Sequence, residues 1–124
     1  MRKFHLLTSA MLIIIVALLY GGNPNRVLPL VFDFKVESLE LKNIFRAIMG
    51  LYLGFAFFWA LGAANNTYWK AATLSNIIFM GGLALGRLLS FVLDGISYQY
   101  VPGVILEVIF MILGIYNLKK TEVG

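Results

Sequence analysis

Four long apolar stretches, at about 4–20, 43–63, 70–93 and 103–118, take up most of this chain and leave little choice of fold. At about 1.5 Å of rise per residue the shortest covers roughly 25 Å as a helix, close to the hydrocarbon thickness of a bilayer. In lipid every backbone amide and carbonyl has to be bonded within the segment, which a helix achieves and a lone strand does not. The links near 64–69 and 94–100 are short, so the second, third and fourth segments should be antiparallel neighbours. These stretches point to an all-α membrane protein, an antiparallel four-helix transmembrane bundle built as a single domain over 1–124.

The balance of residue types agrees. Sixty per cent of the residues are apolar and 13% charged, too little polar surface to cover a water-soluble domain of this size. The net charge of +4 forms no dense patch, which argues against a nucleic-acid partner; the basic residues sit mainly between apolar runs, where they meet lipid headgroups. With no cysteine, disulfides, thiolate metal sites and thiol redox chemistry are excluded within the chain. His5 is the one histidine, too few donors for a protein-ligated haem or zinc centre, and is expected at the membrane interface. No cofactor or metal site is expected. No phosphate loop, Ser-His-Asp set or HExxH motif is present, and the reading is of a non-enzymatic protein.

Met1-Arg2-Lys3 before the first apolar run resembles the start of a signal peptide. No small-x-small cleavage site follows, so the run is expected to be retained as a helix. Ser38 is a candidate N-cap ahead of the second segment. The stretch 23–42 mixes Val, Phe and Leu with Asp33, Lys35, Glu37, Glu40 and Lys42 and contains Pro29. Alternation around 31–36 would suit a strand, but a single strand lacks a partner, and an interfacial loop lying over one mouth of the bundle is the expectation. Arg2, Lys3, Lys70, Lys119 and Lys120 fall on one side of the membrane, against Arg26, Lys35 and Lys42 on the other. Both termini are thereby expected in the cytoplasm. Tyr68 and Trp69 would then mark the inner interface, and Tyr98 and Tyr100 the outer one. Asn65-Asn66-Thr67 matches a glycosylation acceptor but falls on the cytoplasmic side.

Four ionisable residues lie in or beside the apolar segments: Arg46, Arg87, Asp94 and Glu107. With alternating helix directions, all four approach the outer leaflet. Arg87, Ser90 and Asp94 share one helical face. An unpaired charge inside a membrane helix costs ~2.5–3.5 kcal/mol, so these residues should meet. They form either a salt-bridge network that fixes helix register or a polar pocket for an anionic or carbonyl-bearing group. Gly50 and Gly54 in the second segment, and Gly82 and Gly86 in the third, have the small-x-x-x-small spacing that permits close helix packing. They are expected to join those two helices. Tyr52 and Asn76 should bond between helices, while Met49, Met80 and Met111 should fill gaps.

The residues Phe45-Arg46-Ala47-x-x-Gly50-x-Tyr52-x-Gly54, then Gly86-Arg87-Leu88-Leu89-Ser90 with Asp94-Gly95 and Glu107, resemble a bacterial four-helix integral membrane family, domain of unknown function 4345. The resemblance implies the bacterial cytoplasmic (inner) membrane and no established activity. More distantly the layout is similar to DoxX-like membrane proteins, some of which accompany quinone-linked oxidoreductases. The leading expectation is a protein that binds a small amphiphile, membrane lipid or partner helix through the Arg/Glu cluster. A quinone-linked redox accessory and a small oligomeric transporter are the alternatives, and a homo-oligomer or partner membrane protein stays open. Reporter fusions at Gly124 and near Asp33 should read inside and outside respectively. An outside reading at Gly124 would overturn the orientation, and amino-terminal sequencing that begins after Gly22 would remove the first helix.

Overall fold

The computed structural model describes residues 2–32 and 35–123. Helix α1 spans Arg2–Gly21, α2 Pro24–Val31, α3 Leu39–Ala64, α4 Asn66–Asp94 and α5 Val101–Val123, with a 3-10 helical turn at Tyr98–Tyr100 before α5. The four long helices meet the length and hydropathy needed to cross a membrane; the chain is a multi-pass membrane protein. Their outward faces are apolar. Phe57, Ile78, Leu85 and Val92 are between 66% and 82% exposed, which lipid tolerates and water would not.

The helices run beyond the apolar stretches because capping groups, rather than hydropathy, set their ends. Ser38 caps α3 as expected, its Oγ accepting from Leu41 N at 3.1 Å, which starts the helix at Leu39. Asn65 is the one non-helical residue between α3 and α4. Its N–H donates to Leu61 O at 2.9 Å and its Oδ1 accepts from Thr67 N at 2.9 Å, so one residue closes α3, opens α4 and forces them antiparallel. At the other end of α4, Gly95 has φ 105°, which glycine adopts without a Cβ penalty. Pro24 stands at the start of α2, where its missing N–H costs nothing. Eight residues of the expected loop 23–42 thereby form a short helix, and its last four belong to α3. Asp33 and Phe34, within the segment where a strand was considered, lie outside the described residues.

Around the bundle the order is α1, α3, α4, α5: α1 packs along α3, α3 along α4 and α4 along α5, while α1 and α5 touch sparsely. Apolar burial does not drive helices together in lipid, so close contact and hydrogen bonds have to hold them. The end holding the start of α1 is called proximal here, and the end holding α2 and the 3-10 turn distal. Proximally, Gly62 of α3 admits Ala72 of α4 and Leu6 of α1, and Gly114 of α5 admits Ile77 of α4 and the His5 ring. Trp59, fully buried, donates from Nε1 to Ser75 Oγ at 3.1 Å. Trp69 donates to Arg2 O at 3.3 Å with the Arg2 guanidinium carbon 3.9 Å from its ring centre. Trp69 is thus buried in the bundle, not a lipid-facing belt residue like the exposed Tyr68.

The expected glycine contact between α3 and α4 is not made. A Cβ on Gly50, Gly54, Gly82 or Gly86 would meet no atom within 4 Å. Spacing reveals that four glycines can form close faces; it does not reveal which way those faces turn. Gly62→Ala is expected to cost about 1–3 kcal/mol, because the new methyl overlaps Ala72. Gly54→Ala is expected to be neutral or to gain up to about 1 kcal/mol from helix propensity. Thermal unfolding in detergent checks both; equal losses for the two variants would contradict this packing.

Candidate functional site

The distal half of the bundle is organised by one ion pair. Arg87, about two turns before the end of α4, donates from Nε to Glu107 Oε1 of α5 at 2.9 Å. The two side chains are 19% and 8% exposed. The Arg87 guanidinium carbon also lies 4.9 Å from the Tyr100 ring centre, a cation–π contact. Tyr100 stacks on Phe32 at 4.8 Å, Phe32 on Tyr20 at 5.8 Å, and Tyr20 meets Tyr52 edge-on at 6.3 Å. Those rings hold Phe32, at the end of α2, and the 3-10 turn against the bundle core. Within the stretch 23–42, Leu28 and Val36 are buried and Phe32 lies between Tyr20 and Tyr100.

Beneath this aromatic roof is a cavity of about 120 Å³. One wall is α1, with Leu12, Val16 and Leu19; another is α5, with Gly103, Leu106 and Glu107; Met80 and Leu83 of α4 close the back. Arg87, Glu107, Tyr20, Tyr52 and Tyr100 supply its polar edge. It occupies the space between α1 and α5, the pair of neighbouring long helices around the bundle that packs least. A second, more open cavity of about 440 Å³ lies between α3 and α4, lined by Phe45, Ile48, Gly82, Gly86 and Ser90. It shares Tyr20, Tyr52, Leu83, Arg87 and Tyr100 with the first. Gly82 and Gly86 therefore widen a groove, and Gly50 and Gly54 line a shallow one with Leu51, Phe55 and Phe58.

Of the sequence candidates, the structure joins Arg87 to Glu107 and separates the rest. Arg46 donates from Nη1 to the carbonyls of Gly21 and Gly22 at 2.9 and 3.1 Å. It caps the carboxyl end of α1, where unpaired carbonyls favour a cation. Ser90 donates to Asp94 Oδ2 at 3.0 Å, and both are exposed. They keep to the shared face expected of them, but bond to each other and not to the Arg87–Glu107 pair. The site holds one cation and one anion, not two of each.

His5 is also placed differently from expectation. It is 4% exposed and its Nε2 lies 2.9 Å from Phe110 O, where Gly114 makes room for the ring beside α5. With Ser9, Thr73 and Asn76 it forms a buried polar set in the proximal half. His5 Nδ1, Ser9 Oγ, Thr73 Oγ1 and both amide atoms of Asn76 have no hydrogen-bond partner among the described residues. The interhelical bond expected of Asn76 is not made. Met80 is fully buried, in keeping with a gap-filling role. No group of three or more His, Asp or Glu suited to a metal occurs among the described residues.

Sequence reasoning missed Tyr20, Phe32, Gln99 and Gly103 as parts of the distal site, and read Tyr100 only as an interfacial aromatic. The signal available was Tyr20 itself, an amphipathic ring at the end of an apolar run and at the depth of Arg87. No curated protein and no solved structure matches the chain. The profile of a family described as Domain of unknown function (DUF4345) matches residues 1–118. With nearly its whole length covered by that match, the chain belongs to the DUF4345 family.

Proposed function

We propose that the protein is a non-enzymatic membrane protein that binds a small amphiphile in the cavity between α1 and α5. The head would lie against Arg87 and Glu107 and the tail would pass between the helices into lipid. The observation that carries this reading is the cavity's make-up: apolar walls on α1, α4 and α5, with one ion pair and three tyrosines at a single edge. Ligand sites commonly combine such walls with a few convergent polar groups. Leu106 is 41% exposed and lines the cavity, which supports lateral entry from the membrane. With the basic residues of both termini in the cytoplasm of a bacterial inner membrane, the cavity would open in the outer leaflet.

The stacked rings of Tyr20, Phe32 and Tyr100 favour a second reading, in which the head is the flat ring of a quinone and the protein accompanies a redox partner. Identity of the bound molecule separates the two. Mass spectrometry of gently extracted protein should find an acyl- or isoprenoid-chain amphiphile whose head is not a quinone; a quinone head would replace the first reading with the second. Gly103→Leu fills the cavity at a position where a Cβ meets nothing within 4 Å. It should lower occupancy about tenfold, equivalent to about 1.4 kcal/mol, with little change in melting temperature. No co-purifying amphiphile, or equal occupancy in both proteins, would overturn the assignment.

A further inference from the structure

Within that reading, which this step rests on, the charge and bonding of Glu107 narrow the ligand to one chemical class. We infer that the cavity takes a neutral, single-chain amphiphile whose head carries a hydroxyl, and that this hydroxyl donates to Glu107.

Glu107 Oε1 is bonded to Arg87, while Oε2 is buried and has no hydrogen-bond partner among the described residues. A carboxylate accepts several bonds, and a buried oxygen left without one carries its full desolvation cost. The other polar side chains lining the cavity are Tyr20, Tyr52, Gln99, Tyr100 and Arg87, and none reaches Oε2. A ligand that supplies a donor removes this cost; one that brings only acceptors does not. Discrimination by an unpaired buried polar group is stronger than discrimination by shape.

Charge argues against anionic headgroups. The pair Arg87–Glu107 sums to zero, so a phosphate or carboxylate head would meet Glu107 with no surplus cation to offset it. Arg46, the second arginine that the sequence placed at this site, is engaged by the carbonyls of Gly21 and Gly22, and no cation besides Arg87 lines the cavity. The cavity's volume of about 120 Å³ suits a head and the start of one chain. Leu12 and Leu19 on α1 face Leu106 on α5 across the gap through which that chain would leave. Long-chain alcohols, monoacylglycerols and isoprenoid alcohols share these properties.

Three probes with one C18 chain test the assignment: oleyl alcohol, a donor; methyl oleate, an acceptor only; and oleate, an anion. Equilibrium binding is measured to the full-length protein in phosphatidylcholine nanodiscs. Oleyl alcohol should bind about tenfold or more tightly than either other probe, the effect of one charge-assisted hydrogen bond. Glu107→Leu should reduce oleyl alcohol to the affinity of methyl oleate. If the single variant fails to fold around an unpaired Arg87, the Arg87→Leu/Glu107→Leu pair gives the same comparison. Equal binding of all three probes, tightest binding of oleate, or an alcohol preference that survives loss of Glu107 would overturn the hydroxyl assignment while leaving an amphiphile site standing. Failure of every probe to bind would overturn the amphiphile reading as well.

Discussion

In hydrocarbon a guanidinium and a carboxylate are each costly to bury alone, and the 2.9 Å contact of Arg87 with Glu107 lets α4 and α5 carry both. The pair ties those helices beside Tyr20, Tyr52 and Tyr100, and the aromatic stack built on them holds Phe32, at the end of α2, against the bundle. Lipid offers no apolar driving force between helices. The register of α4 and α5 in the distal half therefore depends on this charge pair and the rings beside it, while α1 and α3 are joined there by Arg46 on the Gly21 and Gly22 carbonyls. The proximal half is held by different means: small-residue contacts at Gly62 and Gly114 and hydrogen bonds from two tryptophans.

This division accounts for the cavities. Where glycine and alanine allow close approach, the helices leave little space between them. Toward the distal end α1 and α3 stay close where Gly21 meets Met49, but bulky rings and the ion pair hold the other helices apart, and one cavity opens on either side of Arg87. The same residues that fix register thereby leave open space inside the bundle. A structural role for Arg87 and Glu107 and a binding role are compatible, since the free oxygen of Glu107 is not consumed by the first.

The four membrane helices were legible because length and hydropathy alone determine them, and Ser38 announced its helix by chemistry. Their true ends were less legible, since Asn65 and Gly95 act through backbone geometry. Depth was legible too: counting residues from the helix ends put Arg87 and Glu107 at one level. Azimuth was not. In water a polar face marks the outside of a helix, but in lipid the outside is as apolar as the core, so the rotation of α3 and α4 left no trace in the residue pattern. That is why Gly50, Gly54, Gly82 and Gly86 were assigned to a contact they do not make. It is also why Arg46 was placed with Arg87 when it caps α1. His5 was misplaced for a related reason, because position near a terminus suggested the interface while a glycine far along the chain, Gly114, provided a buried seat.

The central claim is that Arg87 and Glu107 act as one unit in the distal half, with Arg46 outside it. A double-mutant cycle on unfolding in bicelles tests this most directly. Glu107→Gln and Arg87→Gln should each destabilise by about 3–5 kcal/mol, because each strands a buried charge. The double variant should lose clearly less than the sum, and Arg46→Gln combined with Glu107→Gln should be additive within about 0.5 kcal/mol. Additive losses for Arg87 and Glu107, or strong coupling of Glu107 to Arg46, would contradict the account.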